Sequence, residues 1–469
     1  MTDINLLSAA EMTEGFRSGS FTPIEVAEAA LAAVRGPLAD LNGVASVDAD
    51  MTLSAAAESA HRWREARPLG PLDGVPISFK DSFHVASMPR WHGTACHPGT
   101  RSPKDALPVT RARAAGMVPT CKTSMPDFAM VMSGLSSQNG IIRNAWNPET
   151  SPGGSSSGAG PSVVVGAATV ALGTDMVGSV RLPAALSGLA SIKPTQGRIA
   201  YDPPGSYRSA GPMARSVDEV EWTLAALGRF SDRDFFSLEG GFAPTTPAFE
   251  RLDGKVIAVW RQAGGGDRTD PATLQAVELQ IARLADLGAE IVEIDDLDVT
   301  PDDYLAIHWN MLYVGAPDYF GLSADERGKI HPVIGAMYED LLDQSAIFAA
   351  GVARRIGAAA IHVAAQLDRF DYILSPALPV GSFPADLPCP DPTLGAMSHQ
   401  AFACWFNQTG WPAATVPVFD PGDGVCPVSV QIAGKRFDDG GVLQVARLLE
   451  ARRDFALARP AIASQGRTA

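Results

Sequence analysis

The sequence predicts one large α/β domain. Strand and helix signals alternate through the second half of the chain, its 469 residues allow an extensive core, and no low-complexity linker or internal repeat divides it. Thr22-Pro23-Ile24-Glu25 supplies an N-cap, a proline at N1 and a glutamate at N3, and Val26, Ala27, Ala30, Leu31 and Val34 follow at helical spacing. Val75 to Phe79 reads as a buried strand with Lys80 at its end, and Val163 to Leu172 as an apolar helix. Ser216 to Glu219 repeats the capping box, for a helix that runs to about Leu227 and stops at Gly228. Val256 to Trp260 reads as a strand, Asp270-Pro271 opens a helix that ends near Gly288, and Glu290 to Ile294 is a strand again, so this stretch suggests a parallel crossover. Asp371 to Leu374, Ala414 to Pro417 and Val428 to Ile432 are further strands, and Gly441 to Arg452 is a closing helix. The short Pro/Gly-rich stretches Asp202–Gly205 and Phe383–Pro392 read as loops able to line a site.

Composition narrows the function. The net charge of −15 argues against nucleic acid and anionic membranes as partners. Five scattered cysteines (Cys96, Cys121, Cys389, Cys404, Cys426) form no CxxC pair, and no HExxH occurs, so neither a disulfide framework nor a zinc site is expected. They read as small buried residues in a reducing compartment. The N-terminal residues lack the pattern of a secretory signal, and the longest apolar stretch, Pro161 to Leu172, falls short of the ~20 residues that span a bilayer. The expectation is a cytoplasmic protein with no metal and no organic cofactor.

The unusual segment is Ser151-Pro152-Gly153-Gly154-Ser155-Ser156-Ser157-Gly158-Ala159-Gly160. Its flanks, Arg143 to Pro148 and the apolar run from Val163, are unlike those of a flexible linker. A dense turn feeding a buried helix would present free backbone N–H groups. A phosphate loop would need a lysine after the last glycine, and none is there. Gly154 to Gly158 matches GxSxG formally, but a nucleophile elbow needs a strand before it, and Asn147 to Pro152 cannot supply a central one. A GxSxG esterase and a non-catalytic binding module stand as rivals from other classes.

A second motif, Gly173-Thr174-Asp175-Met176-Val177-Gly178-Ser179-Val180-Arg181-Leu182-Pro183, follows. Together the two resemble the amidase signature family, with its GGSS-type turn and GTD-x-x-GS-x-R-x-P loop. Gly74 to Asp81, Lys122 to Phe128, Lys193 to Arg198, Gly211 to Ser216, Asn407 to Pro412 and Pro427 to Gly434 match further motifs in order. The resemblance implies one amidase-signature domain over residues 1–469, with a mixed central β-sheet covered by α-helices on both faces. N-terminal helices would occupy about 1–65, the core about 66–230 and 371–455, and a variable substrate-side region about 231–370.

The resemblance also implies a serine hydrolase of carbon–nitrogen bonds that acts on a small molecule, and it allows a monomer or homodimer. By residue-by-residue match, Ser179 is the nucleophile, Ser155 (preceded by a cis peptide bond) shuttles its proton, and Lys80 is the terminal base. A lysine is a base only when neutral, and burial lowers its pKa. The backbone amides of Met176, Val177, Gly178 and Ser179 are the oxyanion-hole candidates. Val177 replaces the first glycine of the commoner GTDTGGS form and puts a branched side chain beside the site. Asp175, Arg181, Gly154 and Ser156 would support the loops, with substrate contact as the alternative for Arg181. Met125, Phe128, Met130, Leu135, Trp309 and Pro376 are pocket candidates. Their apolar character points to a hydrophobic or aryl amide, or a carbamate (urethane), with esterase side activity. Within the family the rival is a glutamine amidotransferase A-type subunit, whose members often carry glutamine where this chain has Leu182.

Overall fold

The computed structural model describes residues 3–96, 99–244, 248–395, 397–422, 424–456 and 460. Eleven strands form one sheet: β1 (Val44–Ser46), β2 (Pro76–Lys80), β3 (Val118–Thr123), β4 (Val170–Asp175), β5 (Ala190–Lys193), β6 (Ser209–Ala214), β7 (Val256–Trp260), β8 (Glu290–Ile294), β9 (Tyr372–Pro376), β10 (Ala413–Phe419) and β11 (Val428–Gly434). Their spatial order is β1-β3-β2-β4-β6-β5-β10-β11-β9-β7-β8. β3, β2 and β4 run parallel, as do β9, β7 and β8, while the strands between are antiparallel. The sheet is therefore mixed, as the sequence implies.

Strand side chains alternate between two apolar layers. Ile257 and Val259 of β7 join Val220, Leu224, Val277 and Val445 from helices Val217–Leu227, Pro271–Asp286 and Asp439–Ala451. Ala258 and Trp260, between them, face Ile307, Ile356 and Phe402 from helices Pro301–Phe320, Ala346–Leu367 and Ala401–Gln408. Both faces are thus covered. Such central strands read as unbroken apolar runs because neither face meets water.

The capping signals hold. Thr22 and Ser216 each accept the N3 amide and receive the N3 glutamate in return, at the helices Pro23–Arg35 and Val217–Leu227. The crossover from β7 to β8 is parallel. One expectation fails: Val163 to Leu172 is not one helix. The helix Ala159–Val164 ends before Gly166, which sits at φ +76°, and β4 begins at Val170. Every residue of the run is buried, so neither period shows a polar side that would separate helix from strand. The region 231–370, expected on the substrate side, donates β7 and β8 to the main sheet.

One helix, Ala346–Leu367, is long and apolar enough to cross a membrane by length and composition. Val352, Ile356, Val363 and Leu367 pack it into the same apolar cluster as helix Pro301–Phe320, and Arg354 and Arg355 lie at its middle, which is the pattern of a core-facing helix.

Candidate active site

The site lies beyond the carboxyl ends of two neighbouring parallel strands. β2 and β4 pair Phe79 with Leu172, so Lys80 and the Thr174–Asp175 end of β4 emerge side by side. Crevices outside strand carboxyl ends are where open α/β sheets place ligands.

Lys80 is 1% exposed. Its Nζ donates to Ser155 Oγ at 2.7 Å and to Thr174 Oγ1 at 3.1 Å. Ser155 Oγ stands 3.1 Å from Ser179 Oγ. Burial lowers the Lys80 pKa to about 7, with Asp175 opposing and Arg208 adding to the shift. The Gly154–Ser155 peptide bond is cis. Gly154 has to be glycine, since a Cβ there would lie 2.6 Å from the Ser133 nitrogen. Ser156 donates its amide to the Ser179 carbonyl at 3.3 Å, which ties the two serine loops together.

Asp175 organises the second loop. Its carboxylate accepts from the amides of Gly178 (2.7 Å) and Val180 (3.1 Å), and from Arg181 Nε (3.0 Å) and Nη2 (2.9 Å). Burial opposes its ionisation, but the Arg181 guanidinium and these donors hold it well below the usual carboxylate range. Arg181 is itself fully buried and extends to Gln431 Oε1 at 2.7 Å, Asn407 Oδ1 at 2.6 Å and the Ala403 carbonyl at 2.9 Å. It has no face on the cavity, so the alternative of substrate contact by Arg181 falls.

Of the four amides expected at the oxyanion hole, that of Gly178 is already engaged by Asp175. Those of Met176, Val177 and Ser179 donate to no protein acceptor among the described residues. Val177 does not narrow the site. Its side chain is fully buried in the apolar cluster of Leu182 and Phe402. The position that requires glycine is Gly178, at φ +124°, where a Cβ would meet Leu182 Cδ1 at 2.5 Å and Ala403 Cβ at 2.9 Å.

Ser155, Thr174, Met176 and Ser179 open into a cavity of about 350 Å³. Phe128 and Met130 line it, with Ala129, Met311 and Val314. The other pocket candidates do not. Met125 and Leu135 are buried in the core, Pro376 is the last residue of β9 and is buried, and Trp309 packs on Phe348. An apolar side chain reads alike in core and cavity, so composition could not divide them. The sequence reading missed the polar lining of Ser82, His84, Arg90, His92, Tyr201 and Arg208, although the Asp202–Gly205 loop was expected at a site and contributes Asp202 and Pro203. It also missed Thr174 as a partner of Lys80 and Met132, whose Sδ accepts from Ser179 Oγ at 3.4 Å. His84 lies just past the end of β2 and Arg208 just before β6, so strand ends were the one signal available.

The elbow reading fails on geometry. Among the described residues only an isolated bridge, Thr150 to Pro384, leads into Gly154, and Ser156 is buried with its Oγ 3.5 Å from the Thr174 carbonyl. No described histidine hydrogen-bonds either Ser155 or Ser179, although His84 and His92 share their cavity. A serine approached by a second serine and a neutralisable lysine leaves acyl transfer as the chemistry this sheet carries, which places the protein among the serine hydrolases. The chain belongs to the Amidase family, whose model matches residues 25–443, and so acts on carbon–nitrogen bonds. It is 30% identical to the A-type subunit of glutamyl-tRNA(Gln) amidotransferase from Symbiobacterium thermophilum over 98% of this chain and 100% of that one. It is 36% identical to the protein of the same name from Rhodopirellula baltica over 62% of this chain and 59% of that one. Among solved structures it resembles the native peptide amidase of Stenotrophomonas maltophilia (26% identity, TM-score 0.78, 97% and 98% coverage). It also resembles 6-aminohexanoate cyclic dimer hydrolase (25%, 0.84, 98% and 99%). A bacterial aryl acylamidase shares the fold (23%, 0.85, 95% and 96%).

Proposed function

We propose that Ser179 attacks the carbonyl of an amide or carbamate, with Ser155 as proton relay and Lys80 as terminal base. The observation that carries this is the buried chain Lys80 Nζ–Ser155 Oγ–Ser179 Oγ, at 2.7 and 3.1 Å. As the Ser179 oxygen bonds to the carbonyl carbon, its proton passes to Ser155, whose own proton passes to neutral Lys80. The amides of Met176, Val177 and Ser179 stabilise the developing oxyanion, one such donor being worth about 3 kcal/mol of barrier. Collapse expels the amine of an amide, or the alcohol of a carbamate, and the leaving group takes a proton back along the same chain. Water then cleaves the acyl- or carbamoyl-enzyme by the same relay.

For the leaving group, the apolar wall of Phe128, Met130, Met176, Met311 and Val314 supports a hydrophobic or aryl amide, or an aryl carbamate, with short esters as side substrates. A second reading has its own support. The curated relatives carry the name of an amidotransferase component, which would make glutamine the nitrogen donor and other subunits necessary. The two separate cleanly in an assay of the isolated chain on aryl amides, primary amides, aryl carbamates, short esters and glutamine. Turnover of an aryl amide or carbamate by the chain alone is the expected result. Glutaminase activity that arises only with partner subunits would replace it with the second reading.

A further inference from the structure

Besides the apolar wall, the cavity holds a charge that the chain leaves without a counter-ion. Arg208 lines the same cavity as Ser155 and Ser179. Its guanidinium donates from Nη2 to the Pro203 carbonyl at 2.8 Å and stacks over the Tyr201 ring at 4.3 Å from the centroid. Its main chain is pinned as well, because Gln196 Nε2 donates to the Arg208 carbonyl at 2.9 Å. No carboxylate pairs with it among the described residues. The acid nearest in sequence, Asp202, also lines the cavity but is paired with Arg233. The other acid of the lining, Asp318, is half exposed and lies 3.9 Å from His92 Nδ1. Arg90, a second guanidinium in the lining, donates from Nε to the Ser82 carbonyl at 3.2 Å and has no acid partner among the described residues either. A planar fork held by an aromatic ring and one carbonyl is prepared for a carboxylate, which it can meet in bidentate fashion.

We infer that Arg208 is an anion subsite of the Ser179 cavity, and that the substrate is an amide or carbamate bearing a carboxylate on a short arm. This rests on the amidase reading above and deepens it: the apolar wall takes the hydrocarbon part and Arg208 the charge. Two substrate pairs test it, one with the carboxylate on the acyl side (glutaryl- against pentanoyl-p-nitroanilide), one with it on the leaving group (4-acetamidobenzoate against acetanilide). The wild-type enzyme should prefer the carboxylated member of at least one pair by about tenfold or more in kcat/KM, the size expected of a hydrogen-bonded charge. Arg208→Gln should abolish that preference, mainly through KM, and Arg208→Lys should restore part of it. A guanidinium that merely braces the Pro203 turn would lower both members of a pair alike. Ratios near one in the wild type, or a ratio that survives Arg208→Gln, overturn the subsite and leave the amidase reading standing if neutral amides are cleaved. Failure of a fluorophosphonate to label Ser179 overturns both.

Discussion

Three lysines at the ends of sheet strands show why a single residue is hard to read. Lys80, Lys122 and Lys193 are all buried, and each ends or nearly ends a strand. Burial lowers both Lys80 and Lys193 to about 7. Lys122 pairs with Asp81 at 2.7 Å, and Lys193 Nζ donates to the Pro194 carbonyl, at 2.8 Å. Of the three, only Lys80 reaches a serine that shares a cavity with a second serine. Burial and partners are tertiary properties, so the local sequence cannot rank the three; family resemblance singled out Lys80. The role proposed for it makes the pH profile specific. The base works when neutral, so kcat/KM should rise with pH along an acidic limb of apparent pKa about 7. Lys80→Ala should lower kcat by roughly 10²- to 10⁴-fold while the far-ultraviolet spectrum of the fold is retained. Because Arg208 adds to the depression, Arg208→Gln should move the acidic limb to higher pH. A limb that stays in place would mean that Arg208 lies too far from Lys80 to act on it.

At the scale of elements, the loop from Met176 to Val180 is shaped by Asp175 below it and by one glycine within it. Gly178→Ala forces a side chain into φ +124° and against Leu182 and Ala403. The loop must then shift, and kcat should fall by about 10²-fold or more, as when an oxyanion donor is displaced. Measurement of kcat and KM on one amide checks this, since a loop shift acts on turnover more than on binding. Several elements were legible from their polar caps. Thr22, Ser216 and Asp270 each mark their helix within a residue. They were illegible where burial is complete on every side, as from Val163 to Leu172, because periodicity needs a wet face to show.

Over the whole molecule, the site is assembled from segments far apart in the chain. Asn407 alone bridges Arg181, Asp175 and the Tyr207 carbonyl, through its Oδ1 at 2.6 Å and its Nδ2 at 3.0 and 3.1 Å. Asn407→Ala should destabilise the protein by about 1–3 kcal/mol in chemical denaturation, the penalty for leaving buried partners unsatisfied, and should lower kcat with it. Unchanged stability would mean that the Asp175–Arg181 pair stands without its far partner. The motifs that converge here were legible one at a time, but which wall of the cavity each would form was not, because that depends on how the loops at strand ends fold over the sheet. Hence Phe128 and Met130 were found, while Arg208 was not. The central claim is that Ser179 is the activated hydroxyl, and the most direct measurement is peptide mapping after reaction with a fluorophosphonate. Ser179 should carry the label, and it should form much more slowly in Lys80→Ala. A label on Ser156 instead, or equally fast labelling without Lys80, would contradict it.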